Sequence, residues 1–445
     1  MKHVSKRSGK ISAELFIAKA IEFKWLLISF ILFLSLQIFH IAFVHWDKVA
    51  YIFGGKWFCG NQIYFEFLRP PLPSFLTCVF GAQDYSILIT TAFACIVYFA
   101  AVLLLYINHK KKLNQGVFAL FAFLFPAILF NFNFGSDLLA VAFLMLALAV
   151  KGPVKKGAFF ALATLSRYNF LLFGLILFWH ERKNPKRFGL MLALLVLLWI
   201  PWMIFNYLYT GNPFFSIYES SVLNVLNKGA AQPFAVEQIF ILVLFVISLF
   251  AVNIKKILSN AKLQSGVLAA LMFIFSAVKE TRFMGILVPI LAFNAAEASM
   301  RSPKIRLFFL LIFALAFVAA FFGIFTKPYF ISEFNTPTDD FVKQCRVASD
   351  KWVFFYESGI VAECLADISS WEEFISDGGS IVLYERNGVD LSKFNVINRG
   401  EYVILKSDLC APQPKKYISG SLRNNIYNWL SSTNSKIYDY SDWVK

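Results

Sequence analysis

The sequence predicts an all-α polytopic membrane domain over residues 1–326, followed by a small α/β domain outside the membrane over 327–445. Three observations carry that expectation. Hydrophobic residues make up 58% of the 445 and charged ones 16%, with 53 Phe and a mean hydropathy of +0.63, whereas soluble proteins carry about 25% charged residues. The basic residues are clustered between long apolar runs. The balance of charge also changes at Lys327: residues 1–326 hold 29 Lys and Arg against 11 Asp and Glu, a surplus of 18, and residues 327–445 hold 13 against 16. Because the surplus belongs to the apolar part, a pI near 9.4 does not point to a nucleic-acid partner. A cytosolic enzyme and a disordered scaffold are excluded by the same composition.

The basic clusters order the spans. They are Lys2/Lys6/Arg7/Lys10/Lys19/Lys24, Lys110–Lys112, Lys151/Lys155/Lys156, Arg182/Lys183/Lys186/Arg187, Lys255/Lys256/Lys262 and Arg301/Lys304/Arg306. Placed in the cytoplasm by the positive-inside rule, they put the N-terminus inside. Trp25–Val44 is long enough to cross a hydrocarbon core of about 30 Å and too long for a signal-peptide core, so it reads as a retained span. Residues 45–85 are then an outer segment. Ser86–Ile107 returns, Gly116–Phe134 goes out and Ser136–Val150 comes back. Lys155/Lys156 and Arg182/Lys183 are both basic, yet only about one span's worth of apolar chain separates them. Gly157–Leu165 and Phe170–Trp179 therefore read as two short helices meeting near Ser166-Arg167-Tyr168-Asn169, a broken pair of the kind tolerated where it lines protein or a cavity. Residues 188–206 go out, 207–235 form an aromatic outer loop, 238–254 return, 263–278 go out, 283–298 return and 307–326 go out. About eleven membrane-embedded helices result, counting the short pair, with the C-terminal part extracytoplasmic.

In that tail, Lys351–Tyr356, Gly379–Glu385 and Glu401–Lys406 read as strands and Thr338–Ser349 and Ser369–Ser376 as helices. Cys59, Cys345, Cys364 and Cys410 are counted on the outer, oxidising side, where three full pairings are open and Cys345–Cys364 is one plausible bridge. No His lies beside another metal ligand at short spacing. His40 and His45 read as interfacial residues at the end of the first span.

Chemistry in such a chain falls to the polar groups at the outer ends of the spans. The acidic ones are Asp47, Glu66, Asp84, Asp137, Glu219, Glu237 and Glu280, and the basic ones Lys48, Lys56, Arg69, Arg167, Lys228, Lys279 and Arg282. Asp47 follows the first span directly. A carboxylate held there can act as a base on an arriving hydroxyl if burial raises its pKa, and it reads equally as an ordinary helix-end Asp. The prolines after Arg69, in Arg69-Pro70-Pro71-Leu72-Pro73, favour an extended backbone that sets its guanidinium at a fixed height. Arginines at membrane depth are costly and mark functional sites; Arg282 could alternatively pair with Glu280 or Asp137.

The order of these motifs resembles the integral-membrane glycosyltransferases of the GT-C fold, which include protein O-mannosyltransferases and the aminoarabinose transferases of lipid A. The resemblance rests on Asp47-x-x-x-Tyr51-x-x-x-Gly55 with the Arg-Pro-Pro-Leu-Pro stretch, and on Gly135-Ser136-Asp137-Leu138-Leu139-Ala140. Ala163-Thr164-Leu165-Ser166-Arg167-Tyr168 and Lys279-Glu280-Thr281-Arg282-Phe283 agree with it, and Tyr207–Phe215 is similar to a family loop as well as to an aromatic interfacial belt. It covers about residues 12–326. The family often has Glu where this chain has Asp137, and the tail resembles nothing in it.

The resemblance implies transfer of a sugar from a polyprenyl-phosphate donor to a glycan, lipid or protein acceptor outside the membrane, commonly with inversion. Asp47 is then the catalytic base, and Asp137, the second catalytic residue, orients the sugar, steers the base or holds a cation. Arg69, Arg167, Lys279 and Arg282 hold the donor phosphate as charge develops on it. Tyr51, Glu66, Tyr168 and Glu280 orient the substrates. No cofactor is required by these residues, although Asp47 and Asp137 could share a divalent ion, since hard cations prefer oxygen ligands; no Asp-x-Asp pair occurs in the outer membrane loops. Two other classes share the composition. A transporter usually shows duplicated halves with paired broken helices, whereas one pair and no repeat occur here; a non-catalytic glycan-assembly factor would work through its tail. Convergence of Asp47, Asp137, Arg167 and Arg282 on one outward cavity favours the transferase.

Overall fold

A computed structural model of the chain describes residues 22–40, 46–60, 64–65, 67, 69–131, 136–218, 220, 233–252, 259–276, 281–321, 345–349, 363–364, 368, 370–383, 390–400, 402–412 and 417–418. These are mostly helical, with a small sheet near the C-terminus. The helices are α1 (Lys24–His40), α2 (Trp46–Phe58), α3 (Pro71–Val79), α4 (Asp84–His109), α5 (Gln115–Ala119), α6 (Pro126–Asn131), α7 (Ser136–Ala149), α8 (Pro153–Ser166), α9 (Gly174–Glu181), α10 (Pro185–Thr210), α11 (Val236–Val252), α12 (Ala261–Phe275), α13 (Leu287–Ser299), α14 (Pro303–Phe321) and α15 (Trp371–Ser376).

Local sequence explains many of the ends. Asn114, Asn184 and Asn260 cap α5, α10 and α12 with side-chain oxygens that accept backbone N–H groups, satisfying donors a helix start leaves over. Pro153 and Pro185 occupy first turns, where a missing N–H costs nothing. α10 stops at Gly211, whose φ of +74° suits glycine.

Two helices form the centre. α7 is buried along nearly its whole length, from Ser136 to Ala147, and α13 is buried from Leu287 to Ala296. α10 instead buries only one narrow face, through Met191, Trp199, Trp202 and Asn206, and exposes Leu192, Val196, Leu197, Ile200, Ile204 and Leu208. Tyr85–Lys112, Pro185–Thr210 and Pro303–Ala320 are long and apolar enough to cross a membrane, and the last two are 17% buried within the protein. Apolar surface on that scale is stable in lipid and not in water.

The broken pair is a hairpin. α8 and α9 are joined by Arg167, in extended backbone, and a 3₁₀ turn over Tyr168–Phe173. The two ends meet again where Lys156 Nζ lies 2.5 Å from Glu181 Oε1. Phe160 and Phe178 touch edge-to-face between them. α8 packs on α10 through Gly157, where an added Cβ would lie 2.7 Å from the Met191 carbonyl oxygen. Because that obstacle is backbone, Gly157→Leu should force the helices apart and cost roughly 1–3 kcal/mol; a fall in the unfolding midpoint of the purified protein measures it.

Several expectations are corrected. Residues 45–85, to which the sequence assigned no elements, contain α2 and α3 packed as a pair, with Gly55 allowing an approach in which a Cβ would sit 2.9 Å from Thr77 Cγ2, and Cys59–Cys78 joins their ends. Gly116–Phe134 is not one unbroken helix over its described part; a π turn over Leu120–Leu124 and Pro126, which has no N–H to donate, divide it into α5 and α6.

In the tail, β2 (Val347–Ser349), β3 (Glu363–Cys364), β4 (Ser380–Leu383), β5 (Val396–Asn398) and β6 (Val403–Leu405) form a sheet of order β3-β2-β4-β6-β5. The β3-β2-β4 part is parallel and the β4-β6-β5 part antiparallel. The expected strands at Gly379–Glu385 and Glu401–Lys406 are present as β4 and β6, and the helix at Ser369–Ser376 as α15, while Lys351–Tyr356 lies outside the described residues. Thr338–Ser349 fails as a helix at its end, because Val347, Ala348 and Ser349 are buried between two neighbouring strands and ladder pairing outweighs local propensity there. Cys345 is bonded to Cys410 and not to Cys364, since an antiparallel bridge between Cys345 and Pro412 brings residue 410 alongside. A two-residue parallel pairing links β1 (Tyr64–Phe65), between α2 and α3, to β7 (Tyr417–Ile418), so the tail touches the segment between these two helices.

Candidate functional site

The site forms where the α8–α9 hairpin meets the start of α7. Asp137 lies in the first turn of α7, where a helix dipole favours a carboxylate. Arg167, at the hairpin apex, points its guanidinium at it, with Nη2 donating to Asp137 Oδ2 at 2.5 Å. The two side chains are 17% and 10% exposed, so the pair is largely removed from water. The Arg167 guanidinium also lies 5.9 Å from the centroid of the Phe283 ring. Phe283 belongs to a 3₁₀ turn over Thr281–Met284 that leads into α13.

The next residue along, Tyr168, ties the apex to the segment between α2 and α3. Its hydroxyl donates to the Arg69 carbonyl oxygen at 3.2 Å and accepts from Trp202 Nε1 at 2.9 Å. The Arg69 guanidinium lies 5.5 Å from the centroid of the Tyr51 ring on α2. Tyr51 and Ser136 are buried, and among the described residues the Tyr51 hydroxyl and Ser136 Oγ have no hydrogen-bond partner. An unpaired buried hydroxyl costs about 1–3 kcal/mol, and an arriving oxygen-rich ligand would recover it. Asp47 lies one turn before Tyr51 in α2.

The hairpin therefore gathers Tyr51, Arg69, Asp137, Arg167 and Tyr168, together with the backbone that carries Arg282. The side chains of Asp47 and Arg282 lie outside the described part of the structure, as do Glu66, Lys279 and Glu280. Arg167 takes up Asp137 Oδ2, and the side chain of Asp47, the other expected ligand of a shared divalent ion, lies outside the described residues. Among the described residues no three His, Cys, Asp or Glu side chains gather.

Sequence reasoning missed the scaffold behind the apex. Trp199 Nε1 donates to Thr164 Oγ1 at 2.8 Å and Trp202 Nε1 to Tyr168. Asn206 donates from Nδ2 to the Trp202 carbonyl at 2.8 Å and accepts from the Ser216 amide at 3.1 Å and from its hydroxyl. The available signal was three polar-capable side chains, Trp199, Trp202 and Asn206, three or four residues apart on a mostly apolar helix.

Comparison with protein-family models, with curated proteins and with solved structures finds no match.

Proposed function

We propose that this chain is a membrane glycosyltransferase of the GT-C type that moves a sugar from a polyprenyl-phosphate donor to an acceptor hydroxyl on the outer face, inverting the anomeric carbon. The observation that carries the reading is the buried Arg167–Asp137 pair at the apex of a broken hairpin, with Arg69 and Tyr168 fastened beside it. A chain that needed only to anchor itself would have little reason to hold an arginine at such a point.

In this reading the acceptor oxygen attacks the anomeric carbon while Asp47 takes its proton. The bond from that carbon to the phosphate oxygen breaks, and polyprenyl phosphate leaves. Negative charge grows on the departing phosphate, so Arg167, Arg69, Arg282 and Lys279 bind the transition state more tightly than the ground state. Asp137 sets the position of Arg167. The N-terminus is cytoplasmic, the shorter apolar helices complete about eleven membrane-embedded segments, and the tail works outside. The acceptor is a glycan, lipid or protein that approaches from that side.

Arg167→Lys and Arg282→Lys keep the charge but lose the planar fork that grips phosphate. Each should lower turnover by roughly 10²-fold, the scale of one lost transition-state donor, as read from single-turnover transfer by purified protein. Donor affinity and rate equal to those of the parent in both variants would make these arginines structural.

A further inference from the structure

Along α9, from Gly174 beside the apical turn to Arg182 past its far end, runs a surface groove of about 290 Å³ lined by Gly174, Leu175, Phe178, Trp179, Arg182 and Phe188. Its walls are aliphatic and aromatic apart from one guanidinium. Leu175 is 69% exposed and Trp179 55%, and the neighbouring face of α10 exposes Leu192 and Val196, so the groove opens onto the surface the protein turns to lipid.

The charges at its mouth are out of balance. Glu181 is the sole carboxylate between Lys151 and Arg187 in the sequence, and it is already taken: Lys156 Nζ lies 2.5 Å and Arg187 Nε 2.9 Å from its two oxygens. Arg182, Lys183 and Lys186 are exposed and have no carboxylate partner among the described residues. Arg182 is held in place, its Cζ 3.3 Å from the centroid of the Trp179 ring and its Nη1 donating to the Trp179 carbonyl at 2.8 Å. A fixed guanidinium thus caps one end of an apolar groove, and the exposed Lys183 and Lys186 follow it one and four residues further along the chain.

We infer that this groove is a binding site for an anionic phospholipid, with an acyl chain along Leu175, Phe178 and Phe188 and the phosphate on Arg182, Lys183 and Lys186. Charge complementarity selects this occupant. A zwitterionic lipid offers the same chain but no net charge for three unmatched cations, and a free phosphate ion would leave the channel unfilled. Each cation near an anionic headgroup should favour it about fivefold over a neutral one.

The test uses the full chain in bilayers that contain lipids brominated on the acyl chain, either phosphatidylglycerol or phosphatidylcholine. Quenching of Trp179 is isolated as the difference between the parent and Trp179→Phe. The expected result is stronger Trp179 quenching by the brominated phosphatidylglycerol, a preference that falls about fivefold in Arg182→Gln and is lost when Lys183→Gln and Lys186→Gln are added. These positions are exposed, so the variants keep the fold. Equal quenching by the two lipids in the parent, or an unchanged preference in the triple variant, overturns the site.

Discussion

Asp137→Ala should destabilise the protein by about 3–5 kcal/mol, the largest stability effect expected of any single substitution at the site. The carboxylate accepts from Arg167 at 2.5 Å in surroundings where both side chains are largely buried, and removing one partner of such a pair leaves the other charge desolvated and unpaired. Removing both charges should be milder: Asp137→Leu combined with Arg167→Met replaces the pair with apolar groups of similar volume, and should recover most of the lost stability. A double-mutant cycle read from chemical unfolding in detergent separates the coupling from the individual effects. A cost below about 1 kcal/mol for Asp137→Ala, the range of exposed ion pairs, would mean that water reaches the pair freely and that Asp137 does not set the position of Arg167.

Asp47→Asn should leave folding and donor binding intact and slow transfer by roughly 10²-fold or more, the contribution of a positioned general base. Asn matches Asp in shape and cannot take a proton at neutral pH, so the variant isolates proton transfer from packing. The helix that carries Asp47 also carries Tyr51, whose buried hydroxyl has no partner among the described residues, so the acceptor would meet a base and a hydrogen-bond donor one turn apart. Turnover near that of the parent, with donor affinity unchanged, would remove Asp47 from the mechanism.

The features legible in the sequence were those with a strong local signal. The long apolar runs became α4, α10 and α14. The hairpin was readable because Lys155/Lys156 and Arg182/Lys183 place two basic ends too close for two full spans; the contact between Lys156 and Glu181 that closes it was not foreseen. The helix pair α2/α3 was not legible. Gly54 and Gly55 lower helix propensity, and their use lies in the approach of Ser74 and Thr77 respectively, which only the folded pair displays. Cys78 was left out of the outer cysteines although it falls between residues 45 and 85, and its bond to Cys59 was missed with it. Cys410 could not be matched to Cys345 by spacing, because the sheet brings together residues 65 apart in sequence.

At the site, Asp137, Arg167, Tyr168, Arg69 and Tyr51 were singled out as rare polar or motif-bearing residues, and the structure links them in one cluster. Which of them touch was beyond the sequence. It did not foresee that Asp137 holds Arg167, and the alternative partner it offered Asp137, Arg282, has its side chain outside the described residues. Trp202 and Asn206 were hidden among the apolar residues of α10, where an indole or amide becomes visible only through its partner.

The measurement that bears most directly on the whole account is consumption of labelled polyprenyl-phosphate sugars by the purified full-length protein, followed in parallel with Asp47→Asn and Arg167→Lys. The account predicts that one donor of the panel is converted to polyprenyl phosphate with its sugar attached to an acceptor hydroxyl, and that both variants slow the conversion. If no donor is consumed in the presence of glycan, lipid and protein acceptors, or if the parent and both variants consume it equally, the chain is not a transferase acting through this site.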